Sequence, residues 1–391
     1  MTSSDKRRLV CDEIVATVEM QIGHRGLADA GLLGRLGALL DWINERGPYS
    51  HEQHDAMRRQ VEAILSNRLR IAADRRRVAD IANEVIQKPI FVVGFPRTGT
   101  TLLHSLLAED PAALAPTWLH SHEPSPPPGE GPIATERAGR ASREMGRFLD
   151  YVPGLLPLHP YWDKGIHALV EDEELFTLDF RNAYPTLFYR VPSLSVMVEI
   201  DQDCRGAYRF HRELLQHLQW QTGRHHWALK GVGHQFLLDS LFEIYPDALC
   251  IWPHRDPTAI HASTLAICAV LYGAISPGQI NWRLYARQWV ERIKAGLDHV
   301  LRSPLLNDDR VLHLDFRTVT EDPIGVVRKI YEKRAIELTS EAEGRMRAWL
   351  ADPSNRTDRY GRYPYSYEPF GLSEDWVREL FSDYSRRFGL Q

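Results

Sequence analysis

The sequence predicts an α/β fold with a central parallel sheet, preceded by a helical extension. Two observations lead to this prediction. Along residues 86–391, short apolar segments with the composition of buried strands alternate with segments whose apolar residues have helical spacing. This alternation is typical of parallel strands joined by right-handed helical crossovers. Residues 1–85 show only the helical spacing, so we divide the chain into a helical N-terminal extension, 1–85, and an α/β domain, 86–391.

The extension contains two apolar stripes that predict amphipathic helices. The first comprises Leu32, Leu33, Leu36, Leu39 and Leu40, and the second comprises Met57, Val61, Ile64 and Leu65. A short basic run, residues 75–77, follows the second stripe. On a helix such a run is typical of a solvated face, so it does not indicate a nucleic-acid site.

The first strand of the α/β domain is predicted at residues 90–93, and it leads into a glycine-containing loop. Residues 94–101 read GFPRTGTT, and leucines at helical spacing follow them. Where a strand, a glycine loop and a helix follow one another, backbone N–H groups and the positive end of the helix dipole converge on an anion. The loop is therefore predicted to bind phosphate.

This loop differs from a nucleoside-triphosphate P-loop at one position. Gly94 and Gly99 have the P-loop spacing, but Thr100 stands where a P-loop ATPase has its lysine. Arg97 is the only cation in the loop. We therefore expect a P-loop-like, three-layer fold whose loop does not hold ATP in the usual manner.

A second strand–helix segment covers residues 227–272. Strands are predicted at residues 227–229 and 248–252, with an amphipathic helix between them. Arg255 follows the second strand, and Ser263 comes eight residues later, a little over two helical turns. A guanidinium fork and a hydroxyl at this spacing are predicted to clamp one phosphate. A further strand is predicted at residues 310–314.

The segment GFPRTGTT, followed by HRDP with a serine eight residues after the arginine, resembles the sulfotransferases that use 3′-phosphoadenosine 5′-phosphosulfate (PAPS). The resemblance implies a PAPS site and release of 3′-phosphoadenosine 5′-phosphate (PAP). It implies that the 3′-phosphate lies on Arg255 and Ser263. The implied 5′-phosphosulfate ligands are Arg97, Thr98, Gly99, Thr100 and Thr101.

Two further segments extend the resemblance from about residue 60 to the C-terminus. LKGVGH resembles the family's LK-S-P-x-H segment, although Gly231 and Val232 stand where serine and proline are common. RYPYSYEPFGLS resembles the family's closing Y-S-x-x-x-F-G-L segment. The chain is most similar to the bacterial-type group, which has a helical N-terminal extension.

Transfer to a hydroxyl requires a general base, and three residues compete for that role. Glu171 lies in an acidic run, residues 171–174, that resembles the E-D-E segment of bacterial-type members. His167 is one helical turn before it. His234 ends the LKGVGH segment, and an unperturbed histidine has a pKa near neutral pH. We favour Glu171, while Lys230 is expected to stabilise the transferring group.

Composition limits the partners of this chain. The 47 basic and 52 acidic residues give a net charge of −5, which provides no general attraction to nucleic acid or anionic membranes. We expect no membrane span, no signal peptide and no metal site. Widely spaced cysteines predict free thiols and a cytoplasmic location. They are Cys11, Cys204, Cys250 and Cys268.

The sequence therefore predicts a PAPS-dependent sulfotransferase acting on a hydroxyl of a fairly apolar small molecule. The acceptor class depends on aromatic residues that are concentrated between residues 151 and 220. These are Tyr151, Tyr161, Trp162, Phe176, Phe180, Tyr184, Phe188, Tyr189 and Trp220. A P-loop small-molecule kinase and a non-catalytic PAP-binding protein of the same fold remain as alternatives. The sequence leaves open whether the chain forms a homo-oligomer.

Overall fold

The computed structural model describes residues 7–128, 135–182, 188–191, 204–361 and 364–390. Within these ranges, five strands form one sheet in the order β2-β3-β1-β4-β5, and all neighbouring strands are parallel. The strands are β1 Ile90–Val92, β2 Ala113–Leu114, β3 His226–Lys230, β4 Leu249–His254 and β5 Val311–Asp315. The four predicted strands are all present, so the predicted parallel sheet is confirmed. The sequence analysis missed β2, since two residues are too few for an apolar pattern.

Helices occupy most of the remaining described chain. The α-helices are α1 Cys11–Ile22, α2 Ala30–Glu45, α3 His51–Arg77, α4 Thr100–Ala108, α5 Trp118–His122, α6 Thr135–Tyr151, α7 Leu155–Leu158, α8 Cys204–Gln219, α9 Leu238–Ile244, α10 Pro257–Ile275, α11 Trp282–Leu301, α12 Phe316–Glu321, α13 Pro323–Arg334, α14 Ser340–Ala351, α15 Glu374–Leu380 and α16 Ser382–Phe388. Short 3-10 helices include Pro160–His167, Asp172–Asp179 and Gly233–Phe236.

The central strand β1 shows why the domain has three layers. Side chains alternate between the two faces of a strand. Phe91 packs into one apolar cluster together with helices α8 to α11, whereas Ile90 and Val92 pack into another together with α4 and α13. All three β1 residues are fully buried. Helical layers therefore cover both faces of the sheet, as in other doubly wound α/β domains.

The N-terminal helices α1, α2 and α3 contribute most of one apolar cluster, which also includes Phe180, Tyr189 and Val191. Arg35 and Arg68 connect this cluster to the α/β domain. Each guanidinium donates a hydrogen bond of 2.8 Å to the Asp179 carboxylate, which is 2 % exposed. The extension is thus attached to the end of the 3-10 helix that begins after Glu171. The exact division between residues 85 and 86 stays a prediction.

Helix α10 departs from the expectation that no apolar segment approaches the length of a membrane span. By length and composition it is long and apolar enough to cross a membrane, with a mean hydropathy of 1.6. However, 61 % of the most apolar stretch of this helix is buried inside the protein. Ile260 and Leu265, for example, belong to the core beside the sheet. We interpret α10 as a core helix of the α/β domain.

Candidate active site

The loop between β1 and α4 lies at the carboxyl edge of the parallel sheet, where open α/β sheets bind ligands. Gly94 and Gly99 adopt φ values of 107° and 91°, which favour glycine. A Cβ atom at Gly94 would lie 2.7 Å from a Trp252 ring carbon, and one at Gly99 would lie 2.8 Å from Val319 Cγ1. Both glycines are therefore required by conformation and by close packing.

The threonines of this loop differ in their roles. Thr98 is fully buried, and its hydroxyl donates a hydrogen bond of 2.7 Å to the Phe95 carbonyl, so this side chain holds the loop in shape. Thr100 and Thr101 open helix α4 and line the large cavity beside it. The first N–H groups of a helix lack intrahelical acceptors and attract anions. Helix α4 thus directs its positive end at the cavity.

Two arginines meet at this loop. Arg255 Nη1 donates a hydrogen bond of 2.7 Å to the Arg97 carbonyl oxygen, and the Arg255 guanidinium lies over the Phe316 ring at 4.2 Å. Burial, and then the positive charge of Arg97, lower the pKa of Arg255. Within the described ranges no carboxylate forms an ion pair with either guanidinium. Such a pair of uncompensated cations is a strong anion site.

Ser263 lies on α10 and faces a second cavity next to the arginines. Its hydroxyl is buried and lacks a hydrogen-bond partner in the described part of the chain. This cavity, about 750 Å³, is also lined by Arg97 and Arg255. Its opposite wall comes from the YSYEPFGL segment near the C-terminus, through Tyr365 and Tyr367 among others. Residues of three predicted motifs therefore line one cavity.

The larger cavity has a volume of about 1120 Å³ and extends from the loop into an apolar region. Its polar end contains Arg97, Lys230 and Glu171. Apolar side chains line most of the rest, including Trp118, Phe148, Leu155, Leu158, Leu169 and Tyr272. Cavities of about 300–1,000 Å³ hold one drug-sized ligand. This cavity therefore offers room beyond a single such ligand.

The predicted pocket aromatics are only partly in this cavity. Phe180 and Tyr189 instead pack into the core of the N-terminal extension, and Trp220 is outside the cavity lining. Tyr184 lies outside the described residues. The five that do line the cavity are Tyr151, Tyr161, Trp162, Phe176 and Phe188. Spacing alone could not separate the two groups, since both consist of aromatic residues.

The acidic run makes specific contacts with the turn that follows β3. Glu171 Oε1 lies 2.7 Å from Lys230 Nζ, forming an ion pair at the polar end of the cavity. Glu173 Oε1 lies 3.8 Å from His234 Nδ1. Asp172 Oδ2 lies 2.8 Å from His234 Nε2. The run is therefore fixed against residues 230–234, and Glu171 is held beside Lys230.

These contacts explain why the LKGVGH segment departs from the family pattern. A Cβ atom at Gly231 would lie 2.7 Å from both Glu173 Cγ and His234 Cδ2. At Gly233, a Cβ atom would collide with Glu173 Oε1. A serine at position 231 has a Cβ atom and would therefore meet these two side chains. Gly231 and Gly233 therefore leave the space that the Glu173 side chain occupies.

His234 is placed behind the cavity wall and is fully buried. Its Nδ1 atom lies 2.6 Å from the Tyr208 hydroxyl, and Nε2 contacts Asp172, so both ring nitrogens are occupied. Burial acts to lower the pKa of His234, but the charges of Asp172 and Glu173 outweigh burial and raise it to about 9. A charged imidazole without access to the cavity has no route to an acceptor hydroxyl. This placement argues against His234 as the base.

The buried Asp172–His234 pair makes stability depend on pH. A histidine pKa that folding raises from 6.5 to about 9 stabilises the fold fully below pH 6.5, and this contribution is lost as the pH rises through about 9. His234→Asn removes it. We expect the difference in unfolding free energy between wild type and variant to fall between about pH 6.5 and 9. Urea unfolding across this range measures it, and a constant difference would contradict a charged His234.

The third candidate base, His167, is exposed and does not line the cavity. Among other arginines that could meet a 3′-phosphate, Arg359 forms an ion pair of 2.8 Å with Asp163. Arg362 lies outside the described residues. The geometry therefore leaves Arg255 as the arginine beside Ser263.

One cavity residue was missed by the sequence analysis. His159 lines the cavity in a segment that carries no motif. Burial, followed by the positive charges of Lys230 and Arg97, lowers the pKa of His159 to about 3. It therefore presents a neutral imidazole at the polar end. No sequence signal could have identified it, because its position depends on how residues 155–167 fold over the loop.

Comparisons with known proteins agree with this geometry. A family model described as "Sulfotransferase family" matches residues 89–340. The ω-hydroxy-β-dihydromenaquinone-9 sulfotransferase Stf3 of Mycobacterium bovis (strain ATCC BAA-935 / AF2122/97) is 27 % identical over 308 residues, which cover 73 % of this chain and 72 % of the relative. The protein of the same name from Mycobacterium tuberculosis (strain CDC 1551 / Oshkosh) has the same values.

Two solved structures share the fold. The sulfotransferase STF9 from Mycobacterium avium superposes with a TM-score of 0.82 at 24 % identity, covering 100 % of this chain and 99 % of that one. The sulfotransferase STF1 from Mycobacterium tuberculosis H37Rv gives a TM-score of 0.76 at 24 % identity, covering 97 % and 100 %. At this identity the likeness concerns the fold, and it extends over the N-terminal helices.

Proposed function

This chain belongs to the sulfotransferase family, and from that premise we propose that it transfers a sulfuryl group from PAPS to a hydroxyl of an apolar small molecule. It is an enzyme of sulfuryl transfer. The proposal concerns the donor, the residues that bind it and the kind of acceptor.

The observation that carries the donor assignment is the junction of two anion sites. Arg97 and the start of α4 form the first, and Arg255 with the partnerless Ser263 hydroxyl forms the second. They are joined by the hydrogen bond from Arg255 to the Arg97 carbonyl. PAPS carries phosphate at both its 3′ and 5′ positions, whereas ATP has no 3′-phosphate. The pair of sites therefore fits PAPS better than ATP.

The site residues can perform the transfer without further groups. As the bond from sulfur to the acceptor oxygen forms, the bond from sulfur to the 5′-phosphate oxygen breaks, in line with it. Arg97 and the α4 N-terminus stabilise the charge that develops on the leaving phosphate. Lys230, which is paired with Glu171, stabilises the transferring group. Glu171 takes the proton of the acceptor hydroxyl.

The Glu171–Lys230 ion pair supports this assignment of the base. Glu171 lines the cavity and is 32 % exposed along its side chain, so an acceptor can reach it. Lys230 is 7 % exposed and fixes the carboxylate in one orientation. Holding a base in place before reaction lowers the entropic barrier. We propose Glu171 as the general base on these grounds.

The acceptor is proposed to be an alcohol with a sizeable apolar part. The apolar lining of the 1120 Å³ cavity supports this class. The name of the Mycobacterium bovis relative points the same way, because it describes action on a hydroxylated menaquinone derivative.

A small-molecule kinase is the less suitable alternative. Such an enzyme needs the P-loop lysine, which Thr100 replaces, and a carboxylate for Mg²⁺. Asp256, which follows Arg255, is already used to cap α10. It accepts hydrogen bonds of 2.9 Å from the Thr258 N–H and 2.7 Å from the Thr258 hydroxyl. Asp256 therefore has a structural role as the N-cap of helix α10.

Arg255→Ala is expected to remove most of the preference for PAP over AMP. Charge-assisted hydrogen bonds contribute about 1.5–3 kcal/mol each. The wild type should therefore bind PAP more tightly than AMP by a factor on the order of ten to a hundred. Calorimetric titration measures both ligands. Arg359→Ala is the control and should keep the preference, because Arg359 is bound to Asp163. Equal discrimination in Arg255→Ala and wild type would place the 3′-phosphate elsewhere.

The function is tested by transfer of labelled sulfate. The enzyme is incubated with ³⁵S-labelled PAPS and a series of primary alcohols with increasing chain length, and the sulfate esters are separated and counted. We expect labelled esters whose yield rises with chain length. Tight PAP binding without any labelled ester would support the non-catalytic alternative instead.

The setting of the enzyme is proposed to be the cytoplasm. All four cysteines are free thiols, and Cys250 and Cys268 are buried. Free thiols of this kind are typical of proteins from a reducing compartment. Whether the enzyme forms a homo-oligomer stays open.

A further inference from the structure

Glu174 differs from the other three acids of the run. Glu171 pairs with Lys230, Asp172 pairs with His234, and Glu173 Oε1 lies 3.8 Å from His234 Nδ1. The Glu174 carboxyl has no hydrogen bond or ion pair to any residue that the structure describes. It also lines the large cavity. Its side chain therefore faces ligand space without a protein partner.

The position of Glu174 places it next to the proposed base. It belongs to the 3-10 helix Asp172–Asp179, and its N–H donates a hydrogen bond of 3.0 Å to the Glu171 carbonyl. In a 3-10 helix, side chains three residues apart lie on the same side. Glu171 and Glu174 accordingly both line the cavity. A molecule that reaches Glu171 also passes Glu174.

The surroundings keep Glu174 in a form that both donates and accepts hydrogen bonds. Burial, and then the negative charge of Glu171, raise the pKa of Glu174 to about 8. Near neutral pH the group is therefore mainly a carboxylic acid, with one O–H donor and free acceptor lone pairs.

A polar group in an apolar cavity is unfavourable unless a ligand satisfies it. Sites that hydrogen-bond a polar group of the substrate discriminate strongly against analogues that lack the group, because the protein group then stays unpaired. Glu171 and Lys230 already serve the hydroxyl that is sulfated. The free carboxyl of Glu174 is thus available for a different group on the same molecule.

We propose that Glu174 binds a second polar group of the acceptor, a hydroxyl or carbonyl oxygen a few bonds from the hydroxyl that receives the sulfuryl group. This inference rests on the proposed function and narrows the acceptor class. The preferred acceptor is an apolar molecule whose polar end is a diol or a hydroxy-carbonyl. Glu174 is a specificity-determining residue and takes no part in bond making.

The test compares three probe acceptors: decan-1-ol, decane-1,2-diol and decane-1,3-diol. Their binding to the protein saturated with PAP is measured by calorimetry, and their sulfation by ³⁵S-labelled PAPS is measured in parallel. We expect the wild type to bind the better diol about tenfold more tightly than the mono-alcohol. Glu174→Leu should lower this ratio to about one while binding decan-1-ol at least as well as the wild type.

Two further variants separate recognition from folding. Glu174→Gln keeps a donor and an acceptor at the same place and should retain part of the preference for diols. Glu136→Leu removes a carboxylate that is 85 % exposed on α6, and it should leave every value unchanged. PAP affinity within twofold of wild type in all variants shows that the donor site is intact.

Each contrary outcome overturns the proposal in a recognisable way. A diol preference that survives in Glu174→Leu, or that is absent in the wild type, shows that Glu174 does not bind a second polar group of the acceptor. Equal weakening of mono-alcohol and diol in Glu174→Leu shows that Glu174 holds the reacting hydroxyl instead. Failure of the proposed function looks different, since label transfer is then missing in the wild type, or PAP does not bind and the protein cannot be saturated with it.

Discussion

Arg97→Ala is expected to abolish sulfuryl transfer and to weaken PAP binding by a factor on the order of a hundred. Arg97 is the only cation of the loop, and its side chain lines both cavities. Its removal leaves the 5′-phosphate with backbone donors and hydroxyls alone. The leaving phosphate then lacks the charge that stabilises it in the transition state. Calorimetry with PAP and a transfer assay measure the two effects.

The control for this prediction is Arg317→Ala. Arg317 is a nearby arginine whose side chain is 68 % exposed and lies 3.6 Å from Asp315, so its loss should change neither value. Arg97→Lys keeps a positive charge without the fork and should fall between wild type and alanine. The double variant of Arg97 and Arg255 to alanine should lose nucleotide binding altogether. Wild-type PAP affinity in Arg97→Ala would remove the loop from the donor site.

Glu171→Gln is expected to lower turnover by a factor of about 10²–10⁴ while leaving PAP affinity unchanged. Glutamine has nearly the same shape but does not take up the proton of the acceptor hydroxyl. Steady-state transfer rates and PAP titrations measure the two quantities separately. The split between them matters, because a merely misfolded variant would lose both.

His234→Asn is the matched comparison for the base. We expect it to cost less turnover than Glu171→Gln, since His234 is enclosed by Asp172 and Tyr208 behind the cavity wall. Its effect should appear in stability and in the pH dependence of stability. Near-wild-type turnover of Glu171→Gln, together with a large loss in His234→Asn, would reverse the assignment.

The sequence predicted the donor side of the site well because each part is local. The strand, loop and helix at residues 90–108 follow one another in the chain, so their pattern defines their geometry. Arg255 comes near this loop because β1 and β4 are neighbouring parallel strands, and the residues after both strands lie at the same edge of the sheet. The topology of the sheet and the spacing of the motif residues were therefore enough to predict the donor side of the site.

The acceptor side depends on contacts between distant segments, and sequence patterns do not contain these. Asp172 and His234 are 62 residues apart, and their pairing turns a candidate base into a buried charged group. Glu173 fills the space above Gly231 and Gly233, which the sequence showed only as a departure from the family pattern. Whether the side chain of a residue faces a core or a cavity is decided by packing.

The extension illustrates the same limit. Its apolar stripes predicted helices α2 and α3, and both are present. The ion pairs of Arg35 and Arg68 with Asp179 join residues that are more than a hundred positions apart, so no local sequence pattern predicts them. Through Asp179 the extension is connected to the 3-10 helix that carries the acidic run.

The central claim is that this chain binds a nucleotide with phosphates at the 3′ and 5′ positions, and a comparative titration tests it most directly. PAP, AMP and ATP with Mg²⁺ are titrated separately against the wild type, and the melting temperature is followed. A ligand that binds only the folded state adds about 2.7 kcal/mol of stability at a hundredfold excess over its Kd. We predict that PAP raises the melting temperature at the lowest concentration, followed by AMP. A larger shift with ATP and Mg²⁺ than with PAP would contradict the account and favour a kinase.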